Sequence, residues 1–394
     1  MIGAPVYVRA ERAGDVGPTR LRAVRELTAH PVAARVRDRG RKLAGRTLID
    51  GLQVVPRAPA ARPYAVPGYA RLIELRWKLM LRRRPVLSAA EYAARATVGE
   101  LEELLACTLC GDDRVQPLFT PTWPKRVTYH VVRCPSCGFL YRNPGIRPER
   151  LGDLYSGGGY GRFLTGRYGR NRQNSYRSIM DEFAPVFDDG DGRRLLDYGS
   201  GAGLFTEVAD ERGFEVHGVD LSPAAVELAR SRPGGQRSHL GTPLEVPEIA
   251  AGGFDIVTMW SVLAHLPRPI EDLTMLRSLL APGGALLIFT VNANSLKLKV
   301  NGVKWGGFTP NHLVFFSPST LPRLLRQAGF EAVVYREVYG IPDKPAMRLT
   351  ERQERRLRRT VERGNQGRML RALAFESADG PRRWGMERDA IRLT

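Results

Sequence analysis

Cysteine, lysine and long apolar runs are all scarce in this chain of 394 residues. Four cysteines are too few to form a disulfide scaffold in a chain of this length. No window approaches the roughly 18 consecutive apolar residues that a transmembrane helix needs. Arg9, Glu11 and Arg12 interrupt the N-terminus before the apolar core of a secretory signal could form. We therefore expect a cytoplasmic protein of ordinary globular composition, 43% hydrophobic and 26% charged.

Acidic residues are too few to balance the charge, and the formal net charge is +19. Residues 1–100 hold 20 basic and 8 acidic side chains, and residues 341–394 hold 14 and 8. Residues 101–340, by contrast, hold 26 and 25. The excess therefore belongs to the two flanks. Since 53 of the 60 basic residues are arginine, a general compositional bias explains it, and we do not expect a nucleic-acid partner.

The order of elements predicts a doubly wound α/β sheet in the second half of the chain. From residue 194 a strand, a glycine turn, a helix and a further strand follow one another, and strands recur at 254–260 and 285–291. Six segments result: a basic, largely flexible arm (1–68), a helical segment (69–106), a cysteine unit (107–150), a linker or cap (151–190), the α/β domain (191–340) and a basic, mainly helical extension (341–394).

Two helices are predicted in the segment before the cysteine unit. Residues 69–84 combine apolar residues at helical spacing with six basic side chains and one acid. Ser88 and Glu91 have the spacing of a capping box, which predicts a second helix over 88–105. The first helix either packs its apolar side on the protein, which is the simpler interpretation, or associates peripherally with an anionic membrane surface.

All four cysteines fall into two matching Cys-x-x-Cys-Gly fragments separated by 23 residues. In such a turn the backbone N–H groups face the thiolates, and glycine takes the positive φ that ends the turn. Two fragments of this kind predict a zinc ribbon with a closed, structural Zn²⁺ site rather than a catalytic one. The predicted ligands are Cys107, Cys110, Cys134 and Cys137.

A glycine loop follows the first strand of the α/β domain, where Gly199, Gly201 and Gly203 let the backbone approach a ligand. Asp220 ends the next strand, in the position from which a carboxylate accepts hydrogen bonds from ribose hydroxyls. Two features argue against a dinucleotide. The spacing is GxGxG rather than GxGxxG, and Asp197 would repel a pyrophosphate but suits an ammonium group.

Five segments in the expected order resemble the class I S-adenosylmethionine-dependent methyltransferases, whose sheet is Rossmann-like. They are LLDYGSGAGLF, VHGVDLSPAAVELAR, FDIVTMWSVLAHLPRP, LLAPGGALLIFT and LLRQAGFE, and the match covers roughly residues 190–340. The resemblance implies that S-adenosylmethionine is the cofactor, with its methionine part near the glycine loop, its ribose at the second acid, and its adenine and methyl donor near the loop after the third strand and the end of the fourth. The implied cofactor-binding residues are Asp197, Gly199, Gly201, Gly203, Asp220, Leu221, Thr242 and Trp260.

Within that superfamily the chain looks like the branch of quinone, glycan and natural-product O-methyltransferases, which often carry a zinc ribbon. The segment 311–317 belongs to this resemblance. The branch usually has Glu-His where this chain has Ala264-His265, which argues against a divalent metal at the acceptor site. His265 follows the fourth strand and His312 lies after the fifth, so each is a candidate general base or simply a hydrogen-bonded loop histidine. Trp305 is either a mobile cover or a packing anchor.

The predicted function is methyl transfer from S-adenosylmethionine to a small molecule or glycan, at oxygen. The alternative is a ribosomal RNA methyltransferase that uses the ribbon for recognition. Against it, the α/β domain is neutral, and Met259-Trp260-Ser261-Val262 replaces the Asn-Pro-Pro-Tyr type of tetrapeptide. A non-enzymatic scaffold fits less well, because the glycine and acidic positions are intact. The acceptor and the oligomeric state stay open.

Overall fold

A computed structural model of the chain describes residues 69–123, 127–155, 166–188, 190–338 and 363–393, with isolated helical positions between 352 and 361. The predicted basic arm of residues 1–68 lies outside the described residues. No helix in the described part is both long and apolar enough to cross a membrane.

The described chain begins with two helices and a series of short strands. Helix α1 (Tyr69–Arg83) confirms the first predicted helix. Helix α2 covers only Ala89–Ala93, so the prediction of a helix through residue 105 was wrong, although Ser88 and Glu91 form the expected capping box. Gly99 and the β-branched residues before it oppose the helix further along. The strands that follow are β1 (Glu102–Glu103), β2 (Gln116–Phe119), β3 (Thr122–Trp123), β4 (Val127–Thr128), β5 (Val131–Arg133), β6 (Leu140–Arg142) and β7 (Gly145–Ile146).

The rest of the chain alternates strands with helices, as the sequence predicts. A 3₁₀ helix at Pro148–Leu154 leads into it. The elements are α3 (Gly166–Glu182), α4 (Ala184–Phe187), β8 (Arg194–Tyr198), α5 (Leu204–Asp210), β9 (Glu215–Asp220), α6 (Pro223–Arg230), β10 (Ser238–Leu240), α7 (Pro247–Ala250), β11 (Phe254–Trp260), α8 (Pro269–Ser278), β12 (Leu280–Val291), α9 (Leu296–Asn301), β13 (Val314–Phe315), α10 (Leu321–Gln327), β14 (Ala332–Val338), β15 (Met369–Phe375) and β16 (Ala390–Arg392).

Eight of these strands form one sheet in the order β10-β9-β8-β11-β12-β15-β14-β16. The first five run parallel, and their carboxyl ends meet at one edge. Apolar clusters cover both faces of the sheet, which is why its central strands are almost continuously apolar. The order of the strands reverses between β8 and β11, since β9 and β10 lie on one side of β8 and β11 and β12 lie on the other. Ligands of such sheets bind at that point, beyond the carboxyl ends of the strands.

The sequence predicts a mainly helical C-terminal extension, but its described residues 363–393 contain two strands of the sheet, so for them the prediction was wrong. Strand β15 enters the sheet antiparallel between β12 and β14, and β16 pairs with β14 at the edge. Residues 369–375 read MLRALAF, whose leucine, alanine, methionine and arginine all favour a helix. The open edges of two neighbouring strands outweigh this local preference, because the strand satisfies hydrogen bonds on both sides. The boundary of the α/β domain at residue 340 was therefore wrong.

A second sheet joins the cysteine unit to the α/β domain. We call residues 107–150 the cysteine ribbon. Its strands β2, β5 and β6 form a four-stranded sheet with β13, which comes from the loop after β12. The Arg142 N–H donates to the Leu313 carbonyl oxygen at 2.7 Å, and its guanidinium donates to the Pro310 carbonyl oxygen at 2.8 Å. The ribbon is thus built into the α/β domain rather than linked to it.

Candidate active site

The glycine loop joins the ends of two neighbouring strands of the sheet. The N–H groups of Gly199 and Ser200 both donate to the Val219 carbonyl oxygen, at 2.8 and 3.1 Å. Gly199 has a φ of 72° and Gly201 a φ of 56°, a region that residues with a Cβ rarely adopt. The loop therefore brings bare backbone to the carboxyl edge, as predicted.

Asp220 lies beside this loop at the end of β9 and is 2% exposed. One carboxylate oxygen accepts the Gly201 N–H and the other accepts the Ser222 N–H, both at 2.8 Å. An ionised carboxylate only accepts hydrogen bonds, and its two oxygens together offer about four acceptor positions. The side chain thus supplies acceptors for the two hydroxyls of a ribose diol, which would donate to it. Leu221 follows it and is partly exposed.

Asp197 is buried at the end of β8, where the Thr258 hydroxyl of the neighbouring strand donates to it at 2.9 Å. Burial raises the pKa of this carboxyl to about 7. A cationic ligand beside it would compensate the lost hydration of the carboxylate. The chemistry of the residue therefore fits an ammonium group such as that of S-adenosylmethionine.

Three other residues of the predicted cofactor set have structural partners. A Cβ on Gly203 would lie 3.0 Å from the Ala229 Cβ, so this glycine lets α5 pack closely on α6. Thr242 forms a capping box with Glu245. Trp260 is 2% exposed and packs in an aromatic cluster with ring centroids 4.7 Å away on two sides. The structure thus groups Asp197, Gly199, Gly201 and Asp220, and it places Trp260 among apolar neighbours.

Both candidate base histidines are buried, and they contact each other. The rings of His265 and His312 meet edge to face, with centroids 4.9 Å apart. The Tyr155 hydroxyl lies 2.9 Å from His265 Nδ1. Burial raises the pKa of Tyr155, and the negative charge of Asp220 raises it further. This tyrosine therefore lies between the Asp220 carboxylate and the two histidines. The sequence analysis assigned Tyr155 to a linker and missed it, because no motif surrounds it.

His312 has a defined hydrogen-bonding state. Its Nδ1 lies 2.6 Å from the Gly307 carbonyl oxygen. A carbonyl oxygen only accepts, so Nδ1 carries the hydrogen, and Nε2 is the basic nitrogen of the neutral ring. Trp305 shapes this loop as a packing anchor, with Phe308 and Phe315 around its buried ring. A Cβ on Gly307 would come within 2.4 Å of that ring, so only glycine fits there.

Burial keeps both histidines neutral. It lowers the pKa of His312 to about 4. It also lowers the pKa of His265 well below its ordinary value, and the neighbouring His312 lowers it further because both rings cannot easily be protonated together. Within the described residues, His265 Nε2 has no hydrogen-bond partner. Each ring thus offers a neutral nitrogen near the carboxyl edge of the sheet.

Ser261 follows β11 with a φ of 62°, an uncommon conformation for a residue other than glycine. Its N–H donates to the Phe289 carbonyl oxygen at 2.7 Å, which fixes the turn. Such backbone strain clusters at functional sites. It occurs here four residues before His265, at the carboxyl edge of the sheet, where the candidate cofactor-binding and base residues lie.

The four cysteines meet in one cluster within the cysteine ribbon. Their Sγ atoms all lie within 4.8 Å of one another, and two pairs are 3.5 Å apart. Each Cys-x-x-Cys turn ends at a glycine of positive φ, 75° at Gly111 and 77° at Gly138. Tetrahedral Zn–S bonds of about 2.3 Å place sulfurs about 3.8 Å apart, so the cluster fits a zinc ion.

The chain was compared with known proteins. A family model described as "Methyltransferase domain" matches residues 168–335. The ubiquinone biosynthesis O-methyltransferase of Aromatoleum aromaticum is 33% identical over 171 residues, which cover 39% of this chain and 69% of that protein. One of the same name from Cereibacter sphaeroides is 34% identical over 174 residues, 39% of this chain and 70% of its own. Further relatives are matched over 62% of their length.

Among solved structures, an S-adenosylmethionine-dependent methyltransferase from Archaeoglobus fulgidus aligns with 52% of this chain and 94% of its own, at 21% identity and a TM-score of 0.40. The family model matches the part of the chain that carries the glycine loop, Asp220 and both histidines. This chain belongs to the class I S-adenosylmethionine-dependent methyltransferases.

Proposed function

We propose that the chain methylates an oxygen atom of a small-molecule acceptor. The observation that carries this proposal is that two buried, neutral histidines contact each other and that Tyr155, which is close to the Asp220 carboxylate, contacts one of them. A hydroxyl acceptor must lose its proton as the methyl group arrives, and a neutral imidazole can take it. The relatives named above act in ubiquinone biosynthesis as O-methyltransferases, which supports a ring hydroxyl as the acceptor group.

Each residue of the site has a distinct proposed role. When bound, S-adenosylmethionine supplies an electrophilic methyl group on a sulfonium ion. Asp220 accepts hydrogen bonds from the ribose hydroxyls. Asp197, together with Gly199 and Gly201, holds the methionine part. His312 Nε2 or His265 Nε2 takes the proton that the hydroxyl group of the methyl acceptor loses. The Tyr155 hydroxyl orients the His265 ring through Nδ1, as a residue that positions the histidine.

Methyl transfer from radiolabelled S-adenosylmethionine tests this function directly. The acceptors are a dihydroxybenzoate, a reducing sugar, an aromatic amine and total ribosomal RNA. We expect labelled methyl ether from a hydroxyl acceptor and none from the amine. Labelling of RNA alone would instead establish the ribosomal RNA alternative. Absence of label from every acceptor, with cofactor binding intact, would contradict the proposal for these classes.

We also propose that the cysteine cluster binds one structural Zn²⁺. Four thiolates close the coordination shell, so this ion would stabilise the ribbon and take no part in methyl transfer. Elemental analysis of freshly purified protein should find about one zinc per chain. Less than about half an equivalent would contradict a stable site.

Helix α1 supports a third proposal, that the enzyme is cytoplasmic and associates peripherally with membranes. One side of the helix packs on the protein, with Ile73 4% exposed. Leu72, Leu75 and Leu79 point the other way and are 42%, 55% and 43% exposed. We call this the outward leucine face. Exposed basic side chains flank it on both sides, namely Arg71, Lys78, Arg82 and Arg83.

The charge of this face complements an anionic bilayer. The helix's one acid, Glu74, pairs with Lys299 at 2.5 Å and with Lys78 at 3.9 Å, so the four cations beside the outward leucine face outnumber it. Exposed leucines with cations beside them on one helix face are typical of helices that lie in the headgroup region of a membrane. Co-sedimentation with phosphatidylglycerol vesicles at low salt should therefore recover the protein, and high salt should release it.

Matched variants separate the face from overall charge. Changing Arg82 and Arg83 to glutamine should reduce vesicle binding, whereas the same change at Arg388 and Arg392, which are also exposed, should not. Equal loss in both double variants would indicate nonspecific attraction. No binding even at low salt would rule out the membrane proposal.

A further inference from the structure

A cavity of about 450 Å³ lies where helix α1, the cysteine ribbon and the loop after β12 meet. Its size falls in the range of small-molecule sites. Its apolar wall includes Trp77, Leu81 and Phe315, and its polar wall includes Ser317, Ser319 and Asn365. None of the residues assigned above to the cofactor or to proton transfer lines it.

Arg133 is the charged residue of the lining, which contains no acid. Its guanidinium donates to the Gln116 side-chain oxygen at a long 3.3 Å, and no carboxylate of the described residues forms an ion pair with it. The side chain is half-buried. The lining also includes Cys137, one of the four proposed zinc ligands, but it holds no carboxylate. A partly desolvated guanidinium without a carboxylate partner favours binding of a carboxylate or phosphate.

The polar wall supplies further donors for an anion. The hydroxyls of Ser317 and Ser319 lie 2.9 Å apart on the turn after β13, and both line the cavity. Asn365 lines it from the turn before β15, with a φ of 49°. A ligand that has an acidic group here would place its body against the Trp77 and Phe315 rings.

The cavity is connected with the candidate active site through one aromatic ring. Phe315 lies in its wall, and the centroid of that ring is 6.2 Å from that of His312. The same residue pairs with Leu140 between β13 and β6. Occupancy of the cavity would therefore press on the strand that follows His312.

We propose that this cavity is a separate binding site for an acidic small molecule, a carboxylate or phosphate monoester with a planar or apolar body. Arg133 binds the acidic group, and the aromatic wall binds the body. The site stands apart from the glycine loop, so it does not depend on the proposed acceptor chemistry. Its ligand is a free acidic metabolite or the acidic end of a lipid.

Calorimetric titration of the full chain with phenyl phosphate tests the site, and dihexanoyl phosphatidic acid forms the lipid arm. We expect phenyl phosphate to bind, and benzyl alcohol, which lacks the charge, not to bind. Tighter binding of the phosphatidic acid would indicate a lipid source, and tighter binding of phenyl phosphate a soluble one. No heat from either phosphate up to millimolar concentration would overturn the proposal.

Arg133→Gln should weaken phenyl phosphate binding by about 10- to 100-fold, since it removes charge-assisted hydrogen bonds. Arg95→Gln makes the same charge change at an exposed position and should have no effect. Unchanged binding in the Arg133 variant would contradict the assigned site.

Arg133 also lies beside the cysteine cluster, with Nη2 3.3 Å from where a Cβ of Gly138 would be. Loss of zinc could therefore mimic loss of the site, so Ser319→Phe gives a second, independent variant. This exposed side chain can fill the mouth of the cavity without a change at the ribbon. We expect lost phosphate binding with full zinc content and normal cofactor binding, while Ser319→Ala binds within a few-fold of wild type. Wild-type binding by the phenylalanine variant would exclude the cavity as the site.

Discussion

At the scale of single residues, Asp220 connects the backbone of the glycine loop with the ligand that the loop surrounds. Its two oxygens already accept backbone N–H groups, so the side chain is fixed before any ligand arrives. Such preorganisation reduces the entropy cost of binding. Its burial beside the glycine loop is the reason why this carboxylate, rather than a surface acid, should control cofactor affinity.

Asp220→Ala should weaken S-adenosylmethionine binding by about 10- to 1000-fold, because charge-assisted hydrogen bonds to ribose are lost. Calorimetric titration measures the effect. Asp188→Ala, the same change at an exposed acid, serves as the control and should bind like wild type. An affinity of the Asp220 variant within three-fold of wild type would refute its role.

The pH dependence of the reaction should identify the base. A base must be unprotonated to work, and burial lowers the pKa of His312 to about 4. Activity should therefore stay level as the pH falls from 7 to 5 and decline only toward pH 4. An ordinary histidine would instead give a decline near pH 6.5. The measurement is kcat/KM for the methyl acceptor against pH at saturating S-adenosylmethionine, because Asp197, with a pKa of about 7, also titrates in this range and would weaken cofactor binding.

His312→Asn should lower kcat by about 10²- to 10⁴-fold if this residue accepts the proton. Cofactor affinity should not change, because the ring lies outside the glycine loop. Tyr155→Phe, which removes a hydroxyl beside His265, should cause a smaller loss. If His265→Asn abolishes turnover while the His312 variant retains it, the proton acceptor is His265.

Motifs revealed some of these residues and not others. The glycine loop and its two acids could be predicted because their spacing along the chain reflects one strand-turn-helix unit and the strand after it. Tyr155 could not, since it reaches His265 across 110 positions of the sequence. The strain at Ser261 likewise depends on the turn between two strands and leaves no pattern in the sequence.

At the scale of elements, helix α1 is fixed to the α/β domain by a buried ion pair. Lys299 Nζ lies 2.5 Å from Glu74, with the lysine side chain 2% and the glutamate 30% exposed. The Asn294 oxygen accepts from the same ammonium group at 2.7 Å, and Gln366 donates to the same glutamate at 3.0 Å. Burial lowers the pKa of Lys299. The pair therefore sets the register of the helix on α9.

Glu74→Leu should lower the free energy of unfolding by about 3–5 kcal/mol, because it leaves the Lys299 ammonium buried without a counter-charge. The double variant with Lys299→Met should recover much of that loss. Urea denaturation of the wild type, both single variants and the double variant gives the coupling energy. Additive effects would show that the two side chains do not interact.

Sequence reasoning at this scale succeeded where an element could be recognised from its own residues. Helix α1 and strands β8, β9, β11 and β12 carry their periodicity locally. Strand β15 does not, because its helix-forming residues become a strand only between two existing strands. Strand β13 has two residues and exists through its partner in the ribbon. The capping box located the start of α2 and carried no information about its end.

At the scale of the whole molecule, the cysteine ribbon and the acceptor side of the site form one unit. Strand β13 begins two residues after His312 and pairs with β6 of the ribbon. The Leu313 N–H donates to the Ala264 carbonyl oxygen at 2.7 Å, and Ala264 precedes His265. The Gln327 side chain also donates to the Leu109 carbonyl oxygen in the first cysteine turn, at 2.9 Å. The ribbon therefore holds the segment that brings both histidines together.

This arrangement predicts that loss of the thiolate cluster sharply lowers methyl transfer but leaves cofactor binding intact. Cys137→Ser should release the metal and loosen β6, and with it β13 and His312. The glycine loop depends on β8 and β9 instead, so affinity for S-adenosylmethionine should stay within a few-fold of wild type. Methyl transfer should fall at least about 100-fold, because the base is no longer positioned. Calorimetry and labelled methyl transfer measure the two quantities on the same preparation, and Ser136→Ala, next to the ligand, is the control. Circular dichroism should show that most of the eight-stranded sheet remains. Parallel loss of cofactor binding would mean that the ribbon supports the whole domain, and full methyl transfer without metal would mean that it does not position the histidines.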